Sequence, residues 1–232
     1  MPSGSLRDYH RKRDFKRTAE PKGAVGKRKA SKLRYLIQKH AARALHYDFR
    51  LEWNGTLMSW AVPKGPSENP DDKRLAVHVE DHPLDYGNFE GTIPKGEYGG
   101  GTVMLWDKGT WQPHEDEVDA ALKKGKLSFT LHGVRLKGNW ALVRLRKRSP
   151  KEKDNWLLIK EHDEFERHEG KLATEREMSS VKSGRSMEEI AGGKAVWHSN
   201  KGNGAAAAKP AIKKKAVVKK SAARGSKKKT QG

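Results

Sequence analysis

The nine residues Leu45 to Trp53, LHYDFRLEW, alternate without a break. Leu45, Tyr47, Phe49, Leu51 and Trp53 share one parity, and His46, Asp48, Arg50 and Glu52 share the other. Successive side chains of a strand point to opposite faces, so one face here is apolar while the other carries an imidazole, two carboxylates and a guanidinium. Residues two apart on a face sit about 6.5 to 7 Å apart, near enough for two side chains to converge on one ion. His40 lies upstream across the Ala41, Ala42 and Arg43 connection, where a reversal of the chain brings a third ligand beside His46. Two imidazoles and one carboxylate leave open coordination positions and suit divalent manganese, iron or zinc. Arg50 is the residue type that forks onto a phosphate. Together these residues read as a metal plus an anion clamp. The alternative is a solvated sheet face with an Arg50–Glu52 pair.

A second segment, RLAVHVEDH, divides in the same way. Leu75, Val77 and Val79 are expected on an apolar face, with Arg74, His78, Glu80 and His82 on the other. On that face Arg74 offers a phosphate ligand, Glu80 an outer carboxylate, and His82 an acid or a transition-state hydrogen-bond donor. Lys64, between Pro63 and Gly65 at a strand end, can reach a phosphate. The run EGTIPKGEYGGGT has no Gly-Lys-Ser/Thr ending, so it is read as a turn rather than a phosphate loop.

The elements that must position these residues are mostly strands. LRYLIQK, RALHYDFRLEW, LMSWAVP, RLAVHVE, TVMLWD, TWQ, KLSFTLH, VRLKGNWALVRLR and NWLLIKE follow one another at short intervals, separated by Gly, Pro or Asp. Asn54-Gly55 is a two-residue hairpin signal. EDEVDAALKKG, acidic at its start and closed by Gly125, predicts a short helix. Ser186 with Glu189 forms a capping-box pattern for another. Many short strands with few helices predict a mainly β fold, an antiparallel barrel or sandwich.

Charge divides the chain further. Residues 1–34 hold 12 basic and 3 acidic side chains, a net of +9, and residues 201–232 hold 11 basic and none acidic. The remaining 26 of each sign balance, so the whole net charge of +20 sits in the two ends. The expected organisation is a basic arm (1–34), a β body (35–165), a linker with a short helix (166–200) and a disordered Lys/Ala-rich tail (201–232). Cationic ends around a neutral body point to a nucleic-acid partner. No apolar stretch approaches the ~20 residues of a membrane span, and the start lacks a secretory signal, so no membrane partner and a cytoplasmic location are expected. With no cysteine, any metal must be held by His and carboxylates.

IQKHAARALHYDFRLEWNGTLMSWAVPKGPS and KRLAVHVEDHPLDYGNFEGTIPKGEYGGGTVMLWDKGTW, with KRDFKRTAEP in the arm, resemble the 3′-phosphoesterase domain of bacterial DNA ligase D over about residues 5–165. The resemblance implies a compact β-barrel and a manganese-dependent enzyme (other divalent transition metals fit too). The implied reaction removes a 3′-terminal ribonucleoside and then the 3′-phosphate from DNA primer–template ends during end joining. The departure from that family is architectural, since no polymerase or ligase module is present, so a stand-alone version at the nucleoid is expected, with a Ku-like protein and a separate ligase or polymerase as partners. Carried over by position, His40, His46 and Asp48 match metal ligands. Arg50, Lys64, Arg74, His82 and Tyr86 match phosphate-contacting or supporting positions, and Glu80 an acidic one. Arg13, Asp14 and Glu20 match arm residues needed for activity. Two rival readings share parts of the pattern. A mononuclear iron oxygenase shares the His-x-Asp plus distant His set, and a non-catalytic DNA-binding protein shares the basic ends.

Overall fold

The alternating segments become ten strands in a computed structural model that describes residues 4–26, 32–147, 149 and 151–193. They are β1 (Leu33–Ala41), β2 (Leu45–Trp53), β3 (Thr56–Val62), β4 (Lys73–His78), β5 (His82–Pro83), β6 (Gly91–Ile93), β7 (Gly101–Pro113), β8 (Lys126–Gly133), β9 (Lys137–Arg144) and β10 (Asn155–Lys160). Antiparallel neighbours run β1-β2-β3-β4-β10-β9-β8-β7, and β7 returns to pair with β1. Eight strands therefore close into a barrel, which removes the open edges of the sheet. β6 extends from β7, and β5 pairs with β3 outside the ring.

The tight turn between β2 and β3 is the Asn54-Gly55 hairpin, with both φ positive (47° and 76°) and Trp53 facing Thr56. That conformation matches the strand twist and suits Asn-Gly. The helix expected near Val118 is α2 (Val118–Lys124), closed by Gly125 in the left-handed region at φ 88°. Phe49, Trp60, Trp106, Phe129, Trp140 and Trp156 fill the barrel interior with Ile37, Leu51 and Leu142. Each such buried side chain contributes about 1.5–3 kcal/mol relative to exposure. A second apolar cluster lies on the outer face, where Leu36, Leu57, Tyr86, Phe89, Val103 and Leu105 receive Leu6 and Tyr9 from the arm.

Three local expectations are revised. TVMLWD and TWQ form the single strand β7, which absorbs a register shift opposite Ile37 and Gln38. VRLKGNWALVRLR begins its strand only at Lys137. On β4 the assigned faces are exchanged. Ala61, opposite Asp48, pairs with Val77, so Leu75 and Val77 share the outer face with Asp48. Arg74, Ala76 and His78 share the parity of Phe49 and Trp60. Ala76 is buried in the core, Leu75 is 41% exposed, and His78 lies against the Trp60 ring at 5.2 Å.

Residues 172–192 lie along the barrel. Here α3 (Ala173–Arg176) and α4 (Met187–Gly192) bury Ala173 and Ile190 in the main core. The Ser186–Glu189 capping box starts α4, with Glu189 N–H donating to Ser186 Oγ at 3.2 Å. Trp106 Nε1 donates to the Glu177 carbonyl at 2.8 Å, and Val181 N–H to the Leu105 carbonyl at 2.9 Å. The lysine-rich tail expected at 201–232 lies outside the described residues. Among the described residues no helix is long and apolar enough to cross a membrane.

Candidate metal and phosphate site

The β1–β2 hairpin sets His40 directly opposite His46, with ring centroids 4.7 Å apart. His40 Nε2–H donates to the Gly99 carbonyl at 2.8 Å, and His46 Nδ1–H donates to the Ala44 carbonyl at 2.9 Å. A carbonyl only accepts, so the proton of each ring's hydrogen-bonded nitrogen is fixed, and the other nitrogen is the one available to an ion. Those second nitrogens face Asp48: His40 Nδ1 lies 3.5 Å from Oδ2 and His46 Nε2 lies 3.6 Å from Oδ1. One ligand atom from each of the three side chains falls within 4.8 Å of the others. The donor set fits a divalent transition metal with open positions, because two imidazole nitrogens and an ionised carboxylate converge on one point. Burial works against the Asp48 charge, but Arg50, the His40 contact and His46 outweigh it and hold the carboxyl at about 2.

Arg50 is 2% exposed. Its guanidinium donates to Asp48 Oδ2 at 3.1 Å, to Gln38 Oε1 at 2.9 Å and to Ser59 Oγ at 2.7 Å. Gln38 is fixed in turn, its amide donating to the Tyr86 and Phe89 carbonyls at 3.1 and 2.9 Å. The first of those carbonyls belongs to a short 3-10 turn, Leu84–Asn88, and the second to the residue that closes it; the turn lays the Tyr86 ring 4.9 Å from the Arg50 guanidinium and 4.7 Å from the His82 ring.

The arm completes this face. After α1 (Arg7–Arg11), Arg13 donates to Glu20 Oε1 at 2.8 Å, to Glu80 Oε1 at 3.1 Å and to His82 Nε2 at 3.1 Å. A guanidinium never gives up its proton at these pH values, so His82 Nε2 is the acceptor. His82 Nδ1–H then donates to the Glu80 carbonyl at 2.9 Å, which fixes a neutral ring. Burial, Arg50 and Arg13 all push His82 well below its ordinary value. The Glu80 side chain is nearly inaccessible, yet the Lys12 ammonium at 2.9 Å and Arg13 hold it below the usual carboxylate range.

With this geometry in view, residues 38–144 match the model of the family described as DNA Ligase D 3′-phosphoesterase domain. The matched barrel belongs to that family. Over 165 residues the chain is 53% identical to a multifunctional non-homologous end joining protein LigD of Pseudomonas aeruginosa, covering 70% of this chain and 19% of that protein. It is 45% identical over 139 residues to the LigD of Mycobacterium tuberculosis, covering 60% and 18%, and 39% identical over 164 residues to that of Mycolicibacterium smegmatis, covering 68% and 21%. The chain thus spans about a fifth of the length of these relatives.

In this phosphoesterase domain the structure gathers His40, His46, Asp48, Arg50, Tyr86, His82, Glu80, Arg13 and Glu20 into one contact network. Three other expected residues stand apart from it. Arg74 pairs with Asp72 at 2.8 Å on the parity that faces away from Asp48. Lys64 is exposed in the turn after β3. Asp14 is an exposed turn residue whose Oδ1 accepts from Lys16 N–H at 3.0 Å. Gln38, Ser59 and Lys12 were not singled out from the sequence. Gln38 carries a signal in the alternation of β1, two positions before His40. Ser59 and Lys12 carry none, because their partners are distant in the chain.

Proposed function

We propose that this domain is a manganese-dependent DNA 3′-end-processing phosphoesterase. It removes a 3′-terminal ribonucleoside by phosphodiester cleavage and then the remaining 3′-phosphate, in double-strand break repair by end joining. The observation that carries this reading is the pair of tautomer-locked imidazoles aimed at an ionised Asp48, with the Arg50 guanidinium against the same carboxylate. Relatives named for non-homologous end joining support the pathway, and the family description supports the phosphoester chemistry.

Lewis-acid polarisation of a phosphoryl oxygen, and a lowered pKa for water, are what a divalent manganese ion held by His40, His46 and Asp48 supplies. Arg50 binds the phosphate: three of its five N–H groups are engaged, leaving two for non-bridging oxygens, in a site whose burial strengthens that attraction. Tyr86 shapes the phosphate pocket between Arg50 and His82. His82 holds Arg13 and Tyr86 in position, since its Nε2 accepts from Arg13 and no proton is available on that nitrogen to donate. Glu80 and Glu20 keep Arg13 aimed. Lys64 and Arg74 act as longer-range cations that draw in the DNA strand. The biological partners under this reading are DNA 3′ ends with a terminal ribonucleotide or phosphate, a Ku-like protein, and ligase and polymerase activities, at the nucleoid in the cytoplasm.

End selectivity tests the reading. With manganese, inorganic phosphate should be released from a primer–template carrying a 3′-phosphate and not from one carrying only a 5′-phosphate. Equal release from both ends would contradict a 3′-end-processing role.

A further inference from the structure

A different group of side chains gathers after β10. We propose that His162, Glu166 and His168 form a second, surface-exposed site for a divalent transition metal of the zinc type, separate from the His40–His46–Asp48 site. His162 Nδ1 lies 2.8 Å from Glu166 Oε2, and His168 Nε2 lies 3.1 Å from Oε1. One ligand atom from each residue falls within 4.8 Å of the others. Zinc with bonds of about 2.0–2.1 Å in a tetrahedron separates its ligand atoms by roughly 3.3 Å, so the three side chains need only small rotations to close on an ion.

Two further features favour a ligand set over a chance surface group. Behind His168, the second ring nitrogen lies 3.7 Å from Asp71 Oδ2, close enough for a small movement to bring that carboxylate into the outer position that orients a coordinating imidazole. The backbone that carries the ligands is also anchored. Asp163 accepts from Lys160 Nζ at 2.5 Å and from Phe165 N–H at 2.8 Å, and Arg167 N–H donates to the Glu68 carbonyl at 2.9 Å. By the ordinary affinity order of divalent metals, any site of two imidazoles and a carboxylate holds zinc more tightly than manganese, so zinc is the sensitive probe for both clusters. An ion here ties the segment after β10 to the turn around Asp71 that precedes β4.

The test is a zinc titration of the full chain in competition with a chromophoric chelator. Wild type should bind two equivalents. His162→Ala and His168→Ala should each lose one, His46→Ala should lose the other, and the His46→Ala/His168→Ala double variant should lose both. Zinc should also raise the unfolding temperature of His46→Ala but not that of the double variant. The proposal is overturned if His162→Ala and His168→Ala bind as many equivalents as wild type, or if His46→Ala alone abolishes binding. A missing equivalent in His46→Ala speaks to the first site, so the two readings fail separately.

Discussion

Arg50 is already engaged by Gln38, Ser59 and Asp48 before any substrate arrives. Such an arginine is pre-aimed, and a lysine cannot reproduce its planar fork. Arg50→Lys should therefore lower kcat by about 10²-fold or more while His40, His46 and Asp48 still take up metal, as steady-state rates and a metal titration will show. His82 gives a pH test. Held well below its ordinary value of 6.5 by burial, Arg50 and Arg13, it stays neutral in the folded chain while the unfolded chain protonates it. Its stabilising contribution is thus complete above about pH 6.5 and shrinks as pH falls further, because the unfolded state then binds the extra proton. His82→Asn should lose less stability than wild type between about pH 7 and pH 5, measured by urea unfolding at each pH; parallel curves would refute the assignment. At this scale the His40, His46 and Asp48 cluster was legible because a strand with period-two alternation announces its faces. The tautomers were not, because Gly99 and Ala44 supply them through backbone carbonyls.

Elements decide which of those residues meet. The β2 face could be read from one strand, but β4 misled, since Arg74, His78 and the valines alternate equally well in either orientation. Its register against β3, Ala61 to Val77, settles which parity faces Asp48, and the strand ends at His78 so that Glu80 and His82 return to the site from a different segment. The arm behaves as part of the site wall. Arg13, Glu20 and Glu80 have side chains 4%, 1% and 3% exposed, so removing the shared cation leaves the buried Glu20 carboxylate without its counter-ion and Glu80 with Lys12 alone. Arg13→Ala should cost about 3–5 kcal/mol, and adding Glu20→Gln should recover part of it. Urea denaturation of the single and double variants measures this coupling. The segment after β10 carries weight too: Ile190 in α4 is fully buried, and Ile190→Ala should cost about 2–5 kcal/mol in the same assay.

Across the whole molecule, fold class followed from many short strands, two turn signals and a scarcity of helix. Closure of the barrel did not, because the β1–β7 pairing joins segments about 70 residues apart with no local signal. Charge is the other whole-chain property. Eleven basic residues and no acidic ones lie in 201–232, so deleting that tail should weaken DNA binding and flatten the fall of log affinity with log salt. Unchanged affinity and slope would remove the tail from the binding account. The most direct measurement uses a 5′-labelled primer–template ending in one ribonucleotide, incubated with wild type and His46→Ala, with manganese or with EDTA, and resolved on a sequencing gel. Wild type with manganese should convert the end first to a 3′-phosphate and then to a 3′-hydroxyl, and the other three reactions should leave it intact. Conversion by His46→Ala, or by wild type in EDTA, would contradict a metal-dependent site built on His40, His46 and Asp48.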